Sequence, residues 1–235
     1  LSNDATVAIV LAHRGAGFSG GSDMHEFAIL VTILGVFLLG AMSPGPSFIV
    51  VSRIAIARSR ADGIMAAVGM GIGGFLFACI AVAGLTAILL QVEWLSMLLR
   101  LAGGAYLVWI GIGIWRAAPQ TIAIADAPAD QPSTLWKSLL RGLFVQISNP
   151  KTAIFYASMF AALLPSPTPT WMLLALPPLL FINEFVWYAI VALGFSSRAP
   201  RVVYLRSKTW IDRVAGAVVG ALGIKLMADS VRTIG

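Results

Sequence analysis

The chain has 235 residues, 59% of them hydrophobic and 11% charged, with a mean hydropathy of +0.90. A soluble domain carries about 25% charged residues, so a water-soluble globular fold is excluded and most of the chain belongs in lipid. The net charge of +6 would suggest nucleic acid in a soluble protein. Here the basic residues lie in short stretches between apolar runs, the distribution that sets membrane topology, and no nucleic-acid partner is expected.

Residues 1–23 precede the first long apolar run. Val7–Ala12 is a short apolar patch followed by His13, Arg14 and a Gly/Ser stretch, without the charged start of a signal peptide. They are expected to form a disordered extension ahead of Met24. A helix needs about 20 apolar residues to cross the hydrocarbon core. Such runs occur at roughly 27–52, 64–90, 95–115, 139–164, 171–195 and 210–228, giving six expected transmembrane helices. Tryptophans 94, 115, 136, 171 and 210 mark their ends, as expected of an interfacial belt. The single cysteine, Cys79, falls inside the second run, and both histidines, His13 and His25, precede the first. With no Cys/His cluster, neither a metal nor a cofactor is expected.

Two of the runs contain helix breakers. Ser43-Pro44-Gly45-Pro46 interrupts the first and Ser148-Asn149-Pro150-Lys151 the fourth. An interior proline removes a backbone donor and costs about 3 kcal/mol. In lipid, the freed carbonyls are tolerated only where protein or a wet cavity satisfies them. Paired breaks in matching spans of two half-chains point to a transporter site near the membrane midplane.

Basic residues fix the expected orientation. The first loop carries Arg53, Arg58 and Arg60, the third Arg116, Lys137 and Arg141, and the fifth Arg198, Arg201, Arg206, Lys208 and Arg213. The second holds Glu93 and the fourth is uncharged. Odd loops are therefore expected in the cytoplasm and both termini outside. Residues 117–137, rich in Ala, Pro and Asp, read as a cytoplasmic linker between a first three-helix repeat (24–116) and a second (138–235). An odd number of spans per half makes the second repeat inverted. Arg100-Leu-Ala-Gly103 and Arg213-Val-Ala-Gly216 open the third and sixth runs alike. The expected fold is thus all-α and integral to the membrane: two inverted three-helix repeats whose first and fourth helices are broken.

Ser-Pro-Gly-Pro in the first span, a Gly-rich second, Ala-Gly-Gly-Ala-Tyr-Leu-Val-Trp-Ile-Gly (102–111) in the third and Asn-Pro-Lys in the fourth resemble the LysE/RhtB family of amino-acid exporters. The resemblance runs from about Met24 to the C-terminus. It implies export of amino acids or related metabolites across the bacterial inner membrane, driven by an ion gradient, with an acidic residue in the fifth span.

Glu184, near the middle of that span, matches this expectation. A charge at such depth costs roughly 2.5–3.5 kcal/mol even on lenient scales and should face the bundle interior. It could carry the coupling proton or hold a substrate ammonium. Lys151 could pair with Glu184 or bind a substrate carboxylate. Asn149 supplies donor and acceptor to substrate or to freed backbone. Gln146 and Asn183 are further polar candidates. Ser43, Pro44, Gly45, Pro46 and Pro150 open the helices, and the helix start after Pro46 suits a carboxylate.

Gly69-Met-Gly-Ile-Gly-Gly74 contains the pattern G-x-G-x-x-G. It lies in a membrane span without a βαβ unit, so it reads as a close-packing face rather than a dinucleotide site. With Glu184 the only acidic residue read as buried in a span, a neutral amino acid is the favoured cargo, with a proton or another ion as partner. A passive channel and association with a second copy stay open. A membrane thiol oxidoreductase would need two cysteines.

Overall fold

The structure is a computed structural model that describes residues 20–89, 93–120, 134–165 and 167–232. Residues 1–19 of the expected extension and 121–133 of the expected 117–137 linker lie outside the described residues. Those described form α1 (Gly20–Met42), α2 (Pro46–Ala57), α3 (Arg60–Leu89), α4 (Glu93–Ala117), α5 (Leu135–Ile147), α6 (Pro150–Leu163), α7 (Thr170–Phe195) and α8 (Arg198–Arg232). They contain no strand. Residues 20–23, assigned to the extension by sequence, are the first turn of α1.

Both breaks fall where the prolines put them. The residue before a proline is pushed out of the helical region, and Gly45 before Pro46 and Asn149 before Pro150 both have extended backbones. Each proline then occupies the start of the next helix, where its missing N–H costs nothing.

Four segments are long and apolar enough to cross a membrane: Met24–Met42, Arg60–Gly84, Thr170–Phe195 and Val202–Val231. Pro46–Ala57 and Leu101–Ala117 are shorter apolar helices. Phe27, Ile80, Trp109, Phe144, Leu174 and Ile224 are each more than half exposed. Such a surface would aggregate in water, whereas in lipid it is the matching solvent.

The last helix differs from the sequence reading. The basic fifth loop and a sixth span starting at Trp210 were expected, but α8 is one continuous helix from Arg198. The reason is local: Lys208 and Asp212 lie one turn apart and pair at 2.8 Å. Together they bury charge that composition alone assigns to a loop, and only the turn at Ser196–Ser197 separates α7 from α8.

Glycines set the helix pairing. A Cβ on Gly223 would lie 2.5 Å from the Gly104 carbonyl, and one on Gly111 2.6 Å from the Gly216 carbonyl. The helices α4 and α8 therefore pack antiparallel. Gly142 abuts the Ala66 carbonyl and Gly69 that of Leu139, while Gly73 meets Gln146, so α3 and α5 run parallel. Gly63 against Ala192 and Gly74 against Glu184 set α3 antiparallel to α7. The Gly69–Gly74 stretch is thus the packing face expected of small residues in lipid.

Two apolar clusters flank the breaks. One holds Phe37, Leu107, Tyr156, Met159, Phe160 and Leu176. The other holds Phe48, Val51, Met70, Trp187, Val191 and Phe195, toward the turns at Arg58–Ser59 and Ser196–Ser197. Tyr204 of α8 stacks on Phe48 with ring centroids 5.0 Å apart.

Candidate functional site

The two breaks meet. Ser47, one residue into α2, donates through Oγ to Gln146 Oε1 at 2.7 Å. Asn149 Nδ2 reaches the same hydroxyl at 3.4 Å. Asn149 Oδ1 accepts the Lys151 N–H at 3.1 Å, capping α6. The Asn149 side chain therefore spends itself on backbone and on the opposite break. Asn149→Ala is expected to lower stability by about 1 kcal/mol, the ordinary worth of an N-cap, readable as a lower melting temperature in detergent.

Between the breaks lies a cavity of about 40 Å³, lined in part by Ser43, Gly45, Gln146, Asn149, Lys151 and Glu184. Such a space holds about one to three waters. Glu184 is 5% exposed and accepts from Tyr156 Oη at 3.2 Å through Oε1. Gln146 is a further polar neighbour of the carboxyl, yet Oε2 makes no hydrogen bond among the described residues. Lys151 is half-buried, with its ammonium beside Gly45: a Cβ there would be 3.8 Å from Nζ. Among the described residues Lys151 makes no ion pair, whereas Lys208 pairs with Asp212.

Of the residues singled out by sequence, Ser43, Gly45, Gln146, Asn149, Lys151 and Glu184 share this cavity. Pro44, Pro46 and Pro150 shape the breaks without lining it. Asn183 is elsewhere, donating to the Leu34 carbonyl at 2.9 Å and tying α7 to α1. The sequence reading missed Ser47, Tyr156 and Tyr188, which also line the cavity. It missed Tyr204 too, whose hydroxyl donates to the Met42 carbonyl freed by the first break, at 3.0 Å.

A family model described as LysE type translocator matches residues 24–230. The chain belongs to this family. It is therefore a transporter and not an enzyme. It is 33% identical over 200 residues to the threonine efflux protein of Escherichia coli (strain K12), covering 85% of this chain and 97% of that one. The uncharacterized membrane protein YahN of the same strain is 28% identical over 205 residues, with coverages of 87% and 91%. The leucine efflux protein of Enterobacter sp. (strain 638) is 26% identical over 211 residues, with coverages of 86% and 96%. No solved structure matches the chain.

Proposed function

We propose that this translocator is a secondary active exporter of a small neutral amino acid or derivative, driven by the proton gradient across the bacterial inner membrane. The observation that carries the reading is the cavity lining. It offers one carboxylate, Glu184, and one ammonium, Lys151, not paired to each other, beside the starts of α2 and α6. A zwitterion complements this set: its carboxylate suits Lys151 and the helix starts, and its ammonium suits Glu184. A single lining carboxylate favours neutral over cationic cargo. The relatives named for threonine and leucine efflux agree in direction and substrate class. The space between the breaks is too small for an amino acid, so loading requires the helices to part. A carrier works in that way and an open pore does not.

The reading includes six crossings in two inverted repeats, with residues 24–116 facing 138–235 and both termini outside. The helix directions support it: α3 runs parallel to α5 and antiparallel to α7, and α4 antiparallel to α8, as alternating crossings require. In a Cys79→Ala background, Thr168→Cys is expected to react with an impermeant external thiol reagent and Ser197→Cys is not. The reverse pattern would overturn the topology.

The function is tested by loading cells with threonine, leucine and other neutral amino acids in turn. Outward accumulation against a gradient, abolished by an uncoupler, is the expected result. Downhill flux indifferent to the uncoupler would favour a passive facilitator.

A further inference from the structure

The cavity between the breaks has two unlike sides. Its polar groups come from the breaks themselves, from α6 and from α7. Among the described residues, α1 and α4 bring only apolar groups to the lining. These are Phe37, Gly40 and Ala41 on one face of α1, and Ile110 and Ile114 on one face of α4. Phe155 of α6 also lines the cavity and lies against the α1 face. Its ring is held there closely. A Cβ on Gly40 would be 2.7 Å from Phe155 Cζ and 2.9 Å from Cε1, so only glycine at position 40 admits the ring where it stands. Phe37 meets it edge-on, with centroids 5.4 Å apart. Lys151 and Phe155 are four residues apart, and therefore share a face of α6 with Cβ atoms about 6 Å from each other. An ammonium and an aromatic wall thus stand one helical turn apart on the same helix.

We propose that Phe155, seated on Gly40, determines the size of the cargo side chain: it closes a compartment that takes an aliphatic group as long as that of leucine and rejects an aromatic one. This rests on the reading of the cavity as the site of a neutral amino acid whose carboxylate is held by Lys151. From that anchor the cargo extends along α6 toward the ring, and Ile110 and Ile114 of α4 flank its side chain. An aliphatic group leaves these walls with nothing unsatisfied. A charged one would be buried among them without a partner. A hydrophobic compartment discriminates by about 10–200-fold for each methylene that does not fit, so a ring against a held ring is strongly disfavoured.

The test compares exchange rates within one preparation of proteoliposomes, using radiolabelled L-alanine, L-threonine, L-leucine and L-phenylalanine, each against itself. A general loss of stability lowers all four together and leaves their ratios alone. The unaltered protein is expected to exchange L-leucine at least about tenfold faster than L-phenylalanine. Phe155→Ala should raise the phenylalanine-to-leucine ratio about tenfold or more. Phe155→Leu, which keeps more of the core, should move it in the same direction and serves if the alanine variant does not fold. Gly40→Ala should act on the opposite side: the new carbon drives the ring tip off α1 and shortens the compartment, lowering the leucine-to-alanine ratio. Phenylalanine exchanged as fast as leucine by the unaltered protein, threonine exchanged without leucine, or a ratio unmoved by substitution of Phe155 overturns the proposal and leaves the neutral amino-acid reading standing. Exchange of none of the four by the unaltered protein refutes that reading, and the proposal with it.

Discussion

Glu184→Gln is expected to abolish uncoupler-sensitive export while leaving the protein folded. The carboxyl is enclosed by α3, α6 and α7, with Tyr156 as its hydrogen-bond donor and Gly74 pressed against its stem. A charge held at this depth costs roughly 2.5–3.5 kcal/mol, equivalent to about a hundredfold in rate if it must form and vanish in each cycle. Glutamine keeps the shape and an acceptor for Tyr156 but cannot bind and release a proton. Exchange of substrate across the membrane should persist, because it moves no net proton. The alternative role, a structural partner of Lys151, predicts a large fall in melting temperature that Lys151→Met would repair. The absence of an ion pair between the two among the described residues argues for the first outcome. A stable Gln variant with normal uncoupler-sensitive export would remove Glu184 from both roles.

Gly142→Val is expected to prevent assembly of the bundle. A Cβ at Gly142 collides with the backbone of Ala66, and one at Gly69 with the backbone of Leu139 and Leu143. Neither obstacle is a side chain that can rotate away. Overpacking ordinarily costs about 1–3 kcal/mol, and a backbone obstacle with three added carbons lies at the upper end or beyond. The expected readout is loss of the monodisperse peak in detergent chromatography. Gly113→Ala is the control: nothing lies within 4 Å of its added carbon, so it should elute unchanged.

The architecture was legible where chemistry is local. A proline acts on the residue before it, so Gly45 and Asn149 announced both breaks. Pro177 and Pro178 show the limit of that signal, since α7 runs through them unbroken. Leu176 before them stays helical and fully buried, whereas the residues at the true breaks are a glycine and a self-capping asparagine. Glu184 and Lys151 were legible because charge inside an apolar run is conspicuous. Asp212 was not, because it sits among five basic residues and reads as part of a solvated loop; its burial appears only once Lys208 is seen one turn away. Tyr156 and Tyr204 were hidden for the opposite reason. An aromatic in an apolar helix looks like ordinary core until its hydroxyl is found on Glu184 or on the Met42 carbonyl.

The small cavity between the two helix breaks bears on the energetics of the host cell. Protons cross membranes quickly along continuous files of water. A space of about 40 Å³, with Phe37 and Phe155 in its wall, holds only a few waters and is too short for such a file. An idle copy is therefore an electrical insulator. Cells could hold many copies in reserve against a sudden surplus of metabolite without short-circuiting the gradient that powers the rest of the membrane.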